Sequence, residues 1–374
     1  MTRRSGMTLV EVLVAIFIMG IGLVALLTLF PIGILRIAQS IRDDKCVSCV
    51  INAHALAQVH DVRNDIDVVS EMSVPAYAYD PLNPLPDLFV NPYPKDLAGK
   101  AMLVDADPFG ASYPILADPV GFFSTGGAAQ HWVGGAPGFL RRRPVEFTRR
   151  GALAPADVLK NVQRNFTLWD DASFDNGDPL AGAAPGTPTI LAATVPPTIA
   201  RNSRFSWAYV FHRPQTQDRS IVDCSVVVFD TRPLGLTGTL TLAEYVYPNV
   251  TYFDPVKNTI LIEYSSTIVP PVVPPPVRPG NWIMDASPYL SSPTTGSAHA
   301  YFYRVVAADD LVIGTRQFAR YEVQTPLRGF TTGFTPVIDP TDTSVTPVPS
   351  VYQGTAIVFE GIAEVFEKGP VRLP

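Results

Sequence analysis

The chain has 374 residues and a formal charge of -6, with 47% apolar and only 17% charged residues, against roughly 25% charged in ordinary globular domains. That length holds one large or two modest domains with a real core, and the acidic balance argues against nucleic acid or an anionic membrane as the main partner. Cys46, Cys49 and Cys224 are too few for a disulfide-built scaffold, whereas 37 prolines predict long, stiff connections.

The first predicted element is also the most informative. Residues 6–35 read GMTLVEVLVAIFIMGIGLVALLTLFPIGIL, and from Met7 onward this is a run of 29 almost uninterrupted apolar residues. At about 1.5 Å per residue such a helix exceeds a hydrocarbon core of about 30 Å. A transmembrane helix over 7–35 is therefore predicted. Its one ionisable group, Glu11, costs roughly 2.5 to 3.5 kcal/mol inside a membrane span and marks a functional position. The alternative for Glu11 is a carboxyl near the membrane face that snorkels or stays protonated.

Ahead of the run stands a polar leader, residues 1–6, with Arg3 and Arg4, and Glu11 is the fifth residue after Gly6. A secretory signal peptide differs, because its apolar core spans only about 7 to 15 residues and its cleavage site follows that core. Here a small residue precedes the helix. Arg3 and Arg4 lie before the run and Arg36, Arg42 and Lys45 after it, so positive charge alone does not orient the span.

Gly6 followed by MTLVEVLVA, with Glu11 in that register, strongly resembles the leader of type IV prepilins and type II secretion pseudopilins. The stretch TLVEVLVAIFIMGIGLVALL is most similar to minor pilins of the type IV pilus modification type and to small pseudopilins. The resemblance covers about the first 30 residues. It implies that a prepilin peptidase cuts after Gly6 and methylates the new amino terminus at Met7, and that Glu11 matches the family's assembly glutamate. It also implies a single pass through the cytoplasmic membrane with the N-terminus in the cytoplasm and the head outside. The implied partners are the peptidase, other pilin or pseudopilin subunits and an inner-membrane assembly platform. Removing residues 1–6 takes away Arg3 and Arg4 and changes the side-chain charge from -6 to -8. Many pilins carry a proline where this chain has Thr28; here the proline is Pro31, which predicts a kink.

Beyond Pro31 the pattern becomes amphipathic. Ile34, Ile37, Ile41, Val50, Ala53, Leu56 and Ala57 recur at three- and four-residue steps, so a helical continuation is predicted over 36–67, with a separate juxtamembrane helix as the alternative. Cys46 and Cys49 form a CxxC on it, with His54 and His60 beyond. Neither four converging zinc ligands nor the βαβ surroundings of a redox motif are visible, so packing is the expected role.

Residues 68–200 read as a loop-rich insertion with breakers every few positions. Within it, Arg141, Arg142, Arg143, Arg149 and Arg150 form the densest basic patch. A solvated loop facing the acidic head is expected rather than a nucleic-acid site, because no stacking-aromatic module accompanies it. A short helix is predicted over 155–164. The turn that follows, Asp170 to Asp178, places Asp171, Ser173, Asp175 and Asp178 as calcium-ligand candidates. Its Gly177 falls one place late and Gly182 stands where a bidentate glutamate is needed, so an Asx-rich turn is the competing reading.

From 201 to 374 an antiparallel β head is predicted. RFSWAYVFH, SIVDCSVVVFD, NTILIEY, AYFYRVVAAD, ARYEVQ and TAIVFEGI are β-branched, aromatic runs separated by turn residues, with no helical crossover between them. VPPVVPPPVRPG reads as a stiff exposed loop or a recognition arm. The fold class is thus α+β and pilin-like, with a long N-terminal helix on a mainly antiparallel head. No nucleophile elbow, phosphate loop, dinucleotide fingerprint or zinc-protease motif occurs, so an enzyme is not expected and no cofactor is implied beyond the calcium candidate. A structural filament subunit is the first reading. A membrane-anchored binding protein whose head takes a polysaccharide or surface ligand is the second, and an anchored hydrolase the third.

Overall fold

The computed structural model describes residues 9–62, 114–124, 140–148, 155–168, 172–175, 198–201, 204–212, 221–232, 242–265, 272–290, 296–298, 300–328 and 351–372, together with residues 65, 68 and 133. The chain divides into two units, Met1–Ser48 and Cys49–Pro374. In chain order the described elements are α1 (Leu9–Val59), β1 (Ile115–Ala117), α2 (Pro119–Ser124), β2 (Arg141–Arg143), α3 (Pro155–Phe166), β3 (Ala172–Asp175), β4 (Thr198–Arg201), β5 (Phe205–His212) and β6 (Ile221–Asp230). They continue with β7 (Glu244–Asp254), β8 (Thr259–Glu263), β9 (Trp282–Asp285), β10 (Pro288–Leu290), β11 (Gly296–Ala298), β12 (Tyr301–Ile313), β13 (Arg316–Val323), β14 (Tyr352–Phe359) and β15 (Ile362–Arg372).

α1 is a single helix of 51 residues with Pro31 inside it. The predicted continuation past Pro31 is present and the separate juxtamembrane helix is not, but the helix stops at Val59 instead of near residue 67. Its last turn closes with His60 N donating to Leu56 O at 3.1 Å, and Asp61 then takes a left-handed φ of 47°. An aspartate in that conformation ends a helix as glycine does. Val62 and Val68 are buried beyond the end, and Asp65 accepts from Glu146 N at 2.8 Å.

The head has two β layers where one antiparallel sheet was expected. The first is a five-stranded sheet in the order β15-β6-β5-β1-β2, and the second is a closed barrel in the order β12-β13-β8-β7-β14-β9. The β1–β2 pair is parallel; its neighbours are antiparallel. Thus part of the supposed insertion, β1 and β2, completes the first sheet.

β5 shows why the sheet sits in the middle. All eight residues of FSWAYVFH are buried, and period-two alternation sends different chemistry to each face. Ala208 and Val210 join Val227, Phe229, Met284, Phe302, Ile357 and Phe359 in the core between sheet and barrel. Trp207 and Tyr209 point the other way, meeting Phe166 of α3 at 6.1 Å each, and Tyr209 Oη donates to Ala53 O at 2.6 Å. Val158, Val162 and Phe166, four residues apart, are the buried stripe of α3.

The barrel interior is filled by Phe253, Ile260, Ile262, Ile283, Val305 and Val358 together with four tyrosines, Tyr247, Tyr303, Tyr321 and Tyr352. Two bulges let the strands curve into closure, one in β12 between Val305 and Ala307 and one where β7 passes Gly354 and Thr355 of β14. At the second, Pro248 sits beside Asn249 with φ 56°. Gly354 allows the tight pairing there, since a Cβ would overlap the Ser287 hydroxyl and lie 3.3 Å from Phe253. The proline-rich segment is no exposed arm along its whole length. Pro275 and Val277 are buried on the barrel, and Pro275 O accepts from Tyr321 Oη at 3.4 Å.

The tyrosines set an alkaline limit on stability. Burial pushes all four phenols up, helped at Tyr352 and Tyr303 by the Asp285 charge, at Tyr321 by Tyr247 and at Tyr247 by Tyr245. A phenol is neutral when protonated and titrates near pH 10 in an unfolded chain. The folded state therefore keeps protons that the unfolded state releases, so stability is intact below about pH 10 and drains above it. The slope is about 1.4 kcal/mol per pH unit for each such tyrosine. Urea midpoints measured from about pH 8 to about pH 11 are expected to hold level and then collapse; a level curve throughout contradicts the buried phenols.

Candidate functional site

Two sets of residues carry chemistry outside the apolar cores: the N-terminal helix and a buried charge cluster in the head. Gly6 and Met7 lie outside the described residues. Glu11 occupies the first turn of α1 and is exposed. Around it the described side chains of the helix are exposed and largely apolar, from Leu9 (79% exposed) and Leu13 (62%) through Phe17, Leu23 and Phe30 to Leu35 (69%). Such a surface on a soluble chain marks a membrane or a partner.

Glu11 is the sole acidic residue between Leu9 and Leu35, so a partner that covers this surface must answer one carboxylate in an apolar setting. Among the described residues no helix is long and apolar enough to cross a membrane. The side chains at positions 25, 26, 28 and 29, inside the run, are outside that description.

At the other end of α1 the predicted packing of the thiols is observed. Cys46 and Cys49 are 3% and 0% exposed, and Val50, Ala53 and Ala57 are buried with them. The His60 ring stacks on Phe147 at 3.9 Å, and Phe147 in turn lies 5.9 Å from Phe166.

Of the segment expected as a turn over 170–178, only 172–175 is described, and it is a strand. Ser173 and Asp175 lie in β3, opposite Ala200 and Thr198 of β4, and an extended strand spreads oxygens that a cation needs converged. Asp171 and Asp178 lie outside the described residues. Among the described residues no group of three His, Cys, Asp or Glu is placed to hold a metal.

The arginine patch is corrected at two of its five positions: Arg142 and Arg143 are each 1% exposed, not solvated, while the Arg141 side chain and Arg149 and Arg150 lie outside the described residues. Asp118, fully buried, accepts from Arg232 through both oxygens at 2.7 and 2.6 Å, from Arg142 Nε at 3.0 Å and from Gly121 N at 2.9 Å. Glu244 pairs with Arg142 Nη2 and lies 3.5 Å from Arg232 Nη2. The Arg232 guanidinium also stacks 4.2 Å over Phe229.

Two cations face two anions, so the cluster is neutral as a whole. Burial pushes Asp118 up, and Arg232 and Arg142 overcome it and hold the carboxyl below the usual range. For Arg232 burial pushes down and Asp118 and Glu244 overcome it, so its charge is fixed more firmly. The group ties the β1–α2 junction, β2, the end of β6 and the start of β7, and so fastens sheet to barrel. It is structural, since every charge is answered inside the cluster. No local sequence signal marked it, because Asp118 stands 24 residues from Arg142 and 114 from Arg232.

Comparison with known proteins bears on the helix alone. Residues 1–27 match the family model described as the prokaryotic N-terminal methylation motif. The match supports a prepilin-type, type IV pilin-like protein. No curated protein and no solved structure matches the chain.

The charge cluster makes a direct prediction. Asp118→Asn leaves two buried guanidinium groups short of one anion, and breaking a buried pair costs about 3 to 5 kcal/mol. Gly121→Ala is expected to do comparable damage, since its Cβ would sit on the Asp118 carboxylate and 2.5 Å from Arg232 Nη2. Urea unfolding of the head measures both, and a wild-type midpoint in Asp118→Asn contradicts the clasp. Because the carboxyl is held low, its contribution is present above about pH 4 and lost as pH falls through the folded value.

Proposed function

We propose that the chain is a structural subunit of a type IV pilus or a type II secretion pseudopilus, most similar in kind to a minor pilin of the modification type. A prepilin peptidase cuts after Gly6 and methylates Met7. The apolar run over 7–35, counted with positions 25, 26, 28 and 29, then holds the subunit in the cytoplasmic membrane as a single pass with the head outside. An inner-membrane assembly platform draws it into a filament with other pilin or pseudopilin subunits.

The observation that carries this reading is the register of one exposed carboxylate, Glu11, on an otherwise apolar helix surface, five residues after the glycine of the matched motif. A carboxylate packed among apolar helices needs a cation, and cleavage after Gly6 creates one at Met7 of the adjoining subunit. At about 4 Å and an effective dielectric near 20 the pair is worth about 4 kcal/mol, enough to fix axial stagger. The same charge facing lipid alone finds no partner and costs roughly 2.5 to 3.5 kcal/mol. Assembly is thus favoured at one register and opposed at others.

Two variants in the native host test it. Gly6→Ala is expected to keep residues 1–6 on the protein and to leave Met7 unmethylated, as read by mass spectrometry of the N-terminus. Glu11→Ala is expected to be cut normally and to fractionate with membranes, while its amount in sheared filaments falls about tenfold or more. Normal N-termini and normal incorporation in both variants overturn the proposal.

A further inference from the structure

Where β9 and β12 of the barrel approach β15 of the sheet, the head surface folds into a cleft of about 420 Å³. Trp282 and Tyr301 give it aromatic walls, and Arg304, Arg328, Gln324 and Glu367 stand around them. Arg328 lies 4.0 Å over the Tyr301 ring and Arg304 6.0 Å from the Trp282 ring. Stacking occupies the flat face of a guanidinium and leaves its edge donors directed outward.

Both cations have loose ion partners. Arg304 Nη1 is 3.8 Å from Glu364 and Arg328 Nη2 is 3.8 Å from Glu367, too far for a hydrogen bond. Their side chains are 44% and 53% exposed. The contrast within the same head is informative: Arg232 grips its carboxylate through two bonds, at 2.7 and 2.6 Å. Arg328 also hydrogen-bonds the Tyr301 hydroxyl and feels the Asp223 charge, as Arg304 feels Glu364, yet a guanidinium carries five N–H donors, so two forks with donors to spare border one cleft lined by Arg304, Arg328 and Glu367.

We infer that this cleft binds an acidic saccharide of about disaccharide size, with its carboxylate on the Arg304 and Arg328 forks and a sugar ring against Trp282. Each part of the ligand answers a part of the site. A carboxylate matches a guanidinium edge in bidentate geometry. The C–H face of a pyranose ring covers an aromatic wall, and the Gln324 amide both donates to and accepts from hydroxyls. The volume lies in the lower part of the range for small-ligand sites, about 300 to 1,000 Å³, and is too small for a folded partner. The inference does not rest on filament assembly, because every residue it uses is in the head.

The test is calorimetric titration of the full chain, purified in a detergent without a sugar headgroup. The probes are digalacturonic acid and sialyllactose, with digalactose and lactose as their neutral parents. Saturable binding of at least one acidic sugar is expected, about tenfold or more tighter than its neutral parent and weakened by salt. Arg328→Gln and Arg304→Gln are each expected to weaken it about tenfold or more, with unfolding midpoints near wild type. Glu367→Gln, at an exposed position, removes the competing anion and is expected to tighten binding, so it decides the matter should an arginine variant fold poorly. Binding of neither acidic sugar, equal binding of the neutral parents, or benzoate binding as tight as either acidic sugar overturns the inference.

Discussion

The head depends on one fully buried carboxylate. Asp118 receives both arms of Arg232, the Nε of Arg142 and the backbone of Gly121, and these groups come from a loop, a sheet edge and the connection into the barrel. Taking four charges out of water is expensive, and only near-complete mutual satisfaction repays it. That requirement acts as a specification. Two apolar layers slide past one another at small cost, whereas four charges satisfy one another in a single arrangement. Sheet and barrel are thus held in register by electrostatics and filled by packing, with Phe229, Phe302 and Phe359 in the core between them.

How far this was readable in the sequence follows from the range over which each signal acts. β5, β6, β8, β12, β13 and β14 were visible because alternation and β-branching are local, and α3 because Pro155 opens a four-residue apolar stripe. β7 was hidden by Pro248 and Asn249, which read as a break and are a bulge. β15 was hidden in the same way by Gly369 and Pro370. There the register shifts between Glu367 and Pro370, as an edge strand permits. The four residues of β9 follow a proline run and carry too little pattern to be seen alone, yet β9 pairs with both β12 and β14 and so closes the barrel.

The site divides along the same line. The prepilin-type motif was legible because leader and helix are contiguous, and a family match spans residues 1–27. The arginines were misread because three in a row look like a solvated patch, and what buries Arg142 stands 24 and 102 residues away. The α1 terminus was misplaced for want of a glycine, since Asp61 supplies the left-handed residue itself. Among the calcium candidates, Ser173 and Asp175 show why the turn was not legible: alternate polar residues suit a loop and a strand equally, and pairing with β4 places these two in a strand.

Burial explains why the two functional surfaces differ in kind. In the ion cluster each charge is answered within the head, so it offers nothing to a ligand. Between Leu9 and Leu35 the described side chains of α1 are exposed and, apart from Glu11, carry no charge, so this stretch offers an apolar surface for something to cover. At the cleft Arg328 lies over the Tyr301 ring and Arg304 stands 6.0 Å from the Trp282 ring, and Glu364 and Glu367 are 3.8 Å from them, beyond hydrogen-bond reach. Exposure separates a site from a brace: the Asp118 cluster is closed to solvent, whereas the helix surface and the seam between β12 and β15 are open to it.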